Sequence, residues 1–95
     1  MTVIKTRDIE RALLSKGFQR VDSNHKYYFF YINGKKTSVR TKISHGTDEY
    51  SDHLLGLMKD QLHLDKRELE EFVECSLSGE KYKELLIEKR IVVYP

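Results

Sequence analysis

The stretch Lys26-Tyr27-Tyr28-Phe29-Phe30-Tyr31-Ile32-Asn33-Gly34-Lys35-Lys36-Thr37-Ser38-Val39-Arg40-Thr41-Lys42-Ile43 decides the fold. Its first seven residues enclose an unbroken run of aromatics, which favour the pleated, half-buried surface of a sheet. Asn33-Gly34 follows, and both positions tolerate positive φ, so the pair reads as a two-residue hairpin turn. Lys36 to Ile43 returns as the partner strand, alternating polar with apolar or β-branched residues.

A two-residue loop pairs Ile32 with Lys35, and each further pair steps outward by one residue. On one face Phe30 then meets Thr37, Tyr28 meets Val39 and Lys26 meets Thr41. On the other, Tyr31 meets Lys36, Phe29 meets Ser38, Tyr27 meets Arg40 and His25 meets Lys42. Because side chains alternate strictly, the two sets cannot mix. Tyr28, Phe30, Ile32 and Val39 form the natural core face. The opposite face interleaves three aromatic rings with three cations, a combination that suits the bases and phosphates of a nucleic acid.

Upstream, a helix is expected to start near Thr6, with Thr6 as N-cap and Asp8 in the first turn. Ile9, Ala12, Leu13 and Lys16 share one stripe, which Leu14 widens, and Gly17 supplies a left-handed stop. Phe18–Asp22 is a short first strand. Downstream, the chain reads as helical from Thr47, with Tyr50, Leu54, Leu57, Met58, Gln61 and Leu62 tracing a 3.6-residue period. Asp65-Lys66-Arg67-Glu68 has the form of a capping box, with Leu64 and Leu69 at hydrophobic-staple positions. Leu69, Phe72, Val73 and Ser76 are expected on the inner face of that helix. Ser78 caps a last helix that turns Tyr82, Leu85 and Leu86 inward. Ile91-Val92-Val93-Tyr94 is β-prone and is expected to dock as an edge strand or tail. The expected order is α-β-β-β-α followed by two further helices, an α+β arrangement with an antiparallel three-stranded sheet and helices on one face.

The 95 residues and 11.3 kDa fit one domain spanning the chain. At this size folding buries roughly 65% of the unfolded surface. The formal net charge of +2 is a cancellation: residues 1–46 carry +7 and residues 47–95 carry −5. Such asymmetry points to a polyanionic partner for the basic half, although two solvated charged faces would give the same numbers. No apolar run approaches the ~18 residues of a membrane span. The opening MTVIKTRDIERALL shows no apolar core with a cleavage site, so a cytoplasmic location is expected. A lone Cys75 cannot form an internal disulfide framework or a multi-cysteine zinc site, and reads as a small buried side chain. His45, His53 and His63 stand eight and ten residues apart, which matches no helical metal-ligand pair. No metal or other cofactor is expected.

His25 is the residue with chemical potential. Beside Lys42 and Arg40, neighbouring cations favour a neutral imidazole, the form a general base requires. In a ribonuclease it would take the 2′-hydroxyl proton while cations stabilise charge growing on the phosphate. A lone strand histidine is nonetheless more often structural. Lys26, Tyr27, Lys36, Arg40, Lys42 and His45 are the expected RNA-contacting residues. His45, in the Ser44-His45-Gly46 loop, is also a candidate second proton-transfer group, as are Lys42 and Tyr27.

Arg11-Ala12-Leu13-Leu14-Ser15-Lys16-Gly17-Phe18, Ser23-Asn24-His25-Lys26-Tyr27-Tyr28, the Asn33-Gly34 hairpin and Thr37-Ser38-Val39 together resemble the HicA (YcfA-like) toxins. The resemblance covers residues 5–64. It implies a fold like the double-stranded-RNA-binding domain and a metal-independent mRNA endoribonuclease masked by an antitoxin protein. It places the family's active histidine at His25 and a packing aromatic at Tyr28. Two departures stand out. Ser23-Asn24 replaces the family's Gly-Ser, removing a glycine that would permit close backbone approach. Residues 65–95 are an acidic helical addition, and the sequence leaves open whether they shield the basic face, form a homodimer contact or enlarge the core. A non-catalytic RNA- or protein-binding module, and a structural protein whose aromatic face is covered by residues 65–95, are the alternatives.

Overall fold

The computed structural model describes residues 3–74 and 76–92 of the chain. Its centre is the hairpin. Strand β3 (Lys26–Ile32) and strand β4 (Lys35–Ile43) are joined by Asn33 at φ 51° and Gly34 at φ 77°, the left-handed pair that a two-residue turn matching strand twist requires. β2 (Phe18–Asp22) pairs with the far edge of β3, so the antiparallel sheet runs β2-β3-β4. Two further strands, β1 (Ile4–Lys5) and β5 (Glu49–Tyr50), form a separate antiparallel ribbon. The helices are α1 (Thr6–Ser15), α2 (Asp52–Gln61), α3 (Lys66–Val73) and α4 (Gly79–Glu88). The molecule is α+β, as the alternation of patterns predicts.

The hairpin register departs from simple pairing. Ile32 and Tyr31 meet Lys35 and Lys36 as expected, but Phe29 then meets Arg40, Tyr28 meets Thr41 and Tyr27 meets Lys42. Two extra residues of β4 are absorbed opposite Phe30. Thr37 makes this bulge tenable: its hydroxyl donates to the Phe30 carbonyl at 2.8 Å and accepts from the Val39 N–H at 3.2 Å, replacing lost ladder bonds. The slip is even, so every side chain keeps its expected face. It does correct the pairing of His25 with Lys42, because His25 now lies outside the strand, in the bend between β2 and β3.

All four helices contribute to one core on a single face of the sheet. Tyr28, Phe30, Ile32, Val39 and Ile43 pack with Ile9, Ala12 and Leu13 of α1 and Leu55 and Met58 of α2. Leu69, Phe72 and Val73 of α3 and Tyr82 and Leu86 of α4 belong to the same cluster. The ring of Tyr82 lies 5.2 Å from Phe30, 5.9 Å from Phe18 and 5.1 Å from Phe72, and its hydroxyl donates to the Leu62 carbonyl. The acidic extension is thus built into the core rather than appended to it. Asp65 and Glu68 form the expected capping box, Leu64 and Leu69 are both buried, and Ser78 accepts from the Lys81 N–H. Gly17 ends α1 at φ +102°, and a Cβ there would sit 3.2 Å from the Phe30 ring.

Several local expectations fail for identifiable reasons. Thr6 does not cap α1; its hydroxyl donates to the carbonyls of Thr47 and Asp48, and its N–H to Asp48, tying the helix start to the β5 loop. Residues 47–50 are not helical. Tyr50 is held in β5 by pairing with Ile4, and its hydroxyl donates to the Lys42 carbonyl. Leu14 and Leu57 are exposed, and Ser76 lies beyond the end of α3. Ile91 and Val92 form a bend with Val92 buried, while Cys75, Val93 and Tyr94 lie outside the described residues. Among the described residues no helix is long and apolar enough to cross a membrane.

Candidate nucleic-acid interface

With the helices on one side, alternation along β3 turns Tyr27, Phe29 and Tyr31 to the other. All three are half-buried, and none of the described helices covers them. Lys36, Ser38, Arg40 and Lys42 stand exposed beside them on β4, and Gln19 and Val21 on β2. Tyr27 and Phe29 are stacked, with centroids 6.4 Å apart and planes inclined by 27°. The Lys36 ammonium lies 3.8 Å from the Phe29 centroid, a cation–π contact. Arg40 pairs across the ladder with Phe29, and Lys42 with Tyr27.

His25 extends this row at its open end, its ring meeting Tyr27 edge to face at 6.1 Å. The bend that carries it is fixed by local bonds. Ser23 N–H donates to the His25 carbonyl at 2.9 Å, and the Tyr27 hydroxyl donates to Asn24 Oδ1 at 3.2 Å. His45 reaches over from the loop after β4, its Nε2 lying 3.2 Å from the Ser23 carbonyl. The structure therefore gathers His25 and His45 onto two touching loops, which strand patterning did not reveal. Nδ1 of His25 is buried and makes no hydrogen bond among the described residues, so any proton transfer at this ring falls to Nε2.

No family model matches the chain, and neither does any curated protein or solved structure.

Tyr27, Lys36, Arg40 and Lys42 share the open face, with His25 and His45 at its end. Lys26 is not among them. Its position in the alternation turns it toward the helix side, where it pairs with Asp22 across the ladder and acts on the carboxylates of Glu10 and Asp22. That side of the sheet edge holds its own charge network. Tyr28 is fully buried and donates its hydroxyl to Glu10 Oε2, which also accepts from Arg20 at 2.6 Å. The Tyr28 hydrogen bond, helped by Arg20, holds the Glu10 carboxyl below its ordinary value, and burial pushes the Tyr28 phenol up. Arg20 also binds Asp22 at 2.6 Å and lowers that carboxyl too. The packing role that the resemblance implies for Tyr28 fits this burial.

Gln61 was not legible as a site residue in the sequence. It ends α2 beside β4, where its side chain accepts a hydrogen bond from the Thr41 hydroxyl at 2.6 Å. With Tyr27, Phe29, Arg40, Thr41 and Lys42 it lines a depression of about 600 Å³. Its place on the helical stripe suggested only packing. Among the described residues no three His, Cys, Asp or Glu side chains converge to hold a metal ion.

Proposed function

We propose that the protein is a cytoplasmic RNA-binding endoribonuclease of the HicA-like kind, acting on mRNA without a metal and restrained by an antitoxin protein. One observation supports this above the others. The half-buried rings of Tyr27, Phe29 and Tyr31 lie among Lys36, Arg40 and Lys42 on the sheet face turned away from the four helices. Stacking on such rings and charge pairing with the cations are the two interactions that single-stranded nucleic acid offers. The two helices of the acidic extension, α3 and α4, pack into the core and do not cover this surface.

His25 would act through Nε2. It takes the proton of a ribose 2′-hydroxyl, whose oxygen attacks the adjacent phosphorus. The bond from phosphorus to the 5′-oxygen breaks, and that oxygen leaves protonated by water or a neighbouring acid. The products are a 2′,3′-cyclic phosphate and a 5′-hydroxyl. Lys42 and Tyr27, paired across the ladder next to the bend, would stabilise the charged phosphorane.

A second reading, a non-catalytic RNA-binding module, draws on His25 Nδ1. A general base ordinarily has its second ring nitrogen held by an acceptor, and here that atom makes no such bond among the described residues. Incubating EDTA-treated protein with single-stranded RNA decides between them. Cleavage that falls on the order of 10²–10⁴-fold in His25→Ala is the expected result. Cleavage undiminished by that substitution excludes the catalytic role, and salt-dependent binding without cleavage establishes the second reading.

A further inference from the structure

The two edges of the three-stranded sheet meet solvent differently. On β4 a bulge opposite Phe30 interrupts the ladder, and Lys35, Lys36, Arg40 and Lys42 line the strand; both features discourage a further strand from adding. β2 carries neither bulge nor proline, and its Gln19, Arg20, Val21 and Asp22 are all exposed. Its ladder bonds to β3 fall on odd-numbered residues, since the Gly17 carbonyl accepts from the Tyr31 N–H and the Ser23 N–H donates to the His25 carbonyl. The N–H and C=O groups of Arg20 and Asp22 therefore point outward, and no group among the described residues bonds them. Val21, between them, is 49% exposed on the open face. Charge also sets this edge apart. Residues 1–46 carry +7, yet the groups beside β2 balance, with Arg20 and Lys26 acting on the carboxylates of Glu10 and Asp22.

We infer that β2 is a self-pairing edge, through which two copies of the chain join as antiparallel neighbours about a two-fold axis at Val21. The register follows from the side chains. Centred on Val21, each Arg20 lies opposite Asp22 of the second copy, and the outward backbone groups of the two residues bond each other. The two Val21 side chains then meet at a non-hydrogen-bonded pair, where cross-strand side chains approach closest. Centred on Arg20, two guanidiniums would oppose each other; centred on Gln19, Arg20 would oppose the inward-turned Phe18. An axis at Val21 stands perpendicular to the sheet, so the strands run β4-β3-β2-β2-β3-β4 with both open faces on one side. The pairing uses the strand edge and not the ring-bearing face, so it holds whether or not that face binds RNA.

The test is sedimentation velocity and amide hydrogen exchange on the full chain without RNA. An edge of five residues makes an interface at the small, weak end of the range, so the concentrations run from about 10 μM to about 1 mM. The mass should rise toward that of a dimer. Exchange at the Arg20 and Asp22 amides should slow on the order of tenfold once the dimer predominates, while Gln19 and Val21, already bonded to β3, change little. Val21→Lys sets two ammonium groups against each other and should weaken association on the order of tenfold, with the circular dichroism unchanged. Arg20→Asp and Asp22→Arg should each stay monomeric alone and associate when mixed, because only the mixture opposes unlike charges. A monomer at every concentration overturns the inference and leaves the edge to a strand of another protein. A dimer whose Arg20 and Asp22 amides stay unprotected, or that Val21→Lys leaves intact, places the contact elsewhere and overturns it equally. Neither result touches the RNA reading, which cleavage by the His25→Ala variant decides.

Discussion

Replacing Tyr82 tests whether residues 65–92 are part of the core or an appendage to it. The ring is fully buried and touches Phe18, Phe30 and Phe72, which belong to two strands and α3. Truncating a large buried aromatic to alanine costs about 3–5 kcal/mol. Losing the hydroxyl's bond to the Leu62 carbonyl adds about 1 kcal/mol. A chain of 95 residues has about 5–14 kcal/mol of stability in total, so Tyr82→Ala removes a large share of it. Tyr82→Phe isolates the hydroxyl and should cost only about 1 kcal/mol. Urea unfolding followed by circular dichroism reads both. With a slope of about 2 kcal/mol per molar, the midpoint should fall by about 0.5 M for Tyr82→Phe and by about 2–3 M for Tyr82→Ala. A midpoint nearly unchanged in Tyr82→Ala would refute the integration of α4, and with it the reason the acidic helices stay off the basic face.

Two further outcomes follow from the same packing. Gly56 lies within α2 beside a cavity of about 180 Å³, and an added Cβ there meets nothing within 4 Å. Gly56→Ala should therefore stabilise the protein by about 0.5–1 kcal/mol, whereas Gly17→Ala, with φ at +102°, should destabilise it by more than that; calorimetric melting separates the two. Acid should weaken the protein through Glu10. Its folded-state carboxyl lies below the ordinary 4.5, so its contribution is full above that value and is lost as pH falls through the lower folded value. Glu10→Gln should flatten this limb of the midpoint-against-pH curve, and an unchanged limb would assign the acid sensitivity elsewhere.

The hairpin was legible because Asn33-Gly34 and the aromatic run are local signals that packing reinforces. Its face assignment survived an unforeseen bulge only because the slip was two residues, and side-chain direction repeats every two. Nothing local announced that Thr37 would bond the Phe30 carbonyl, so the cross-strand partners of Tyr27 and Phe29 were misplaced. The capping box at Asp65 was equally readable, since all its parts lie within a few residues. Strands β1 and β5 were invisible for the opposite reason. Each is two residues long, and Ile4 meets Tyr50 only through the fold, while Tyr50 also satisfies a helical period. The candidate site divides along the same line. Its sheet residues followed from alternation, but the approach of His45 to Ser23 and of Gln61 to Thr41 joins segments some twenty residues apart.

The proposed function puts RNA on the open sheet face beside His25, and an NMR titration of the isotope-labelled 95-residue chain with an uncleavable single-stranded 2′-fluoro octamer, following amide and side-chain shifts, examines that contact residue by residue. Shifts concentrated at His25, Tyr27, Phe29, Tyr31, Arg40 and Lys42, with α3 and α4 silent, are the predicted result. Shifts confined to α3 and α4, or none in low salt, would contradict it.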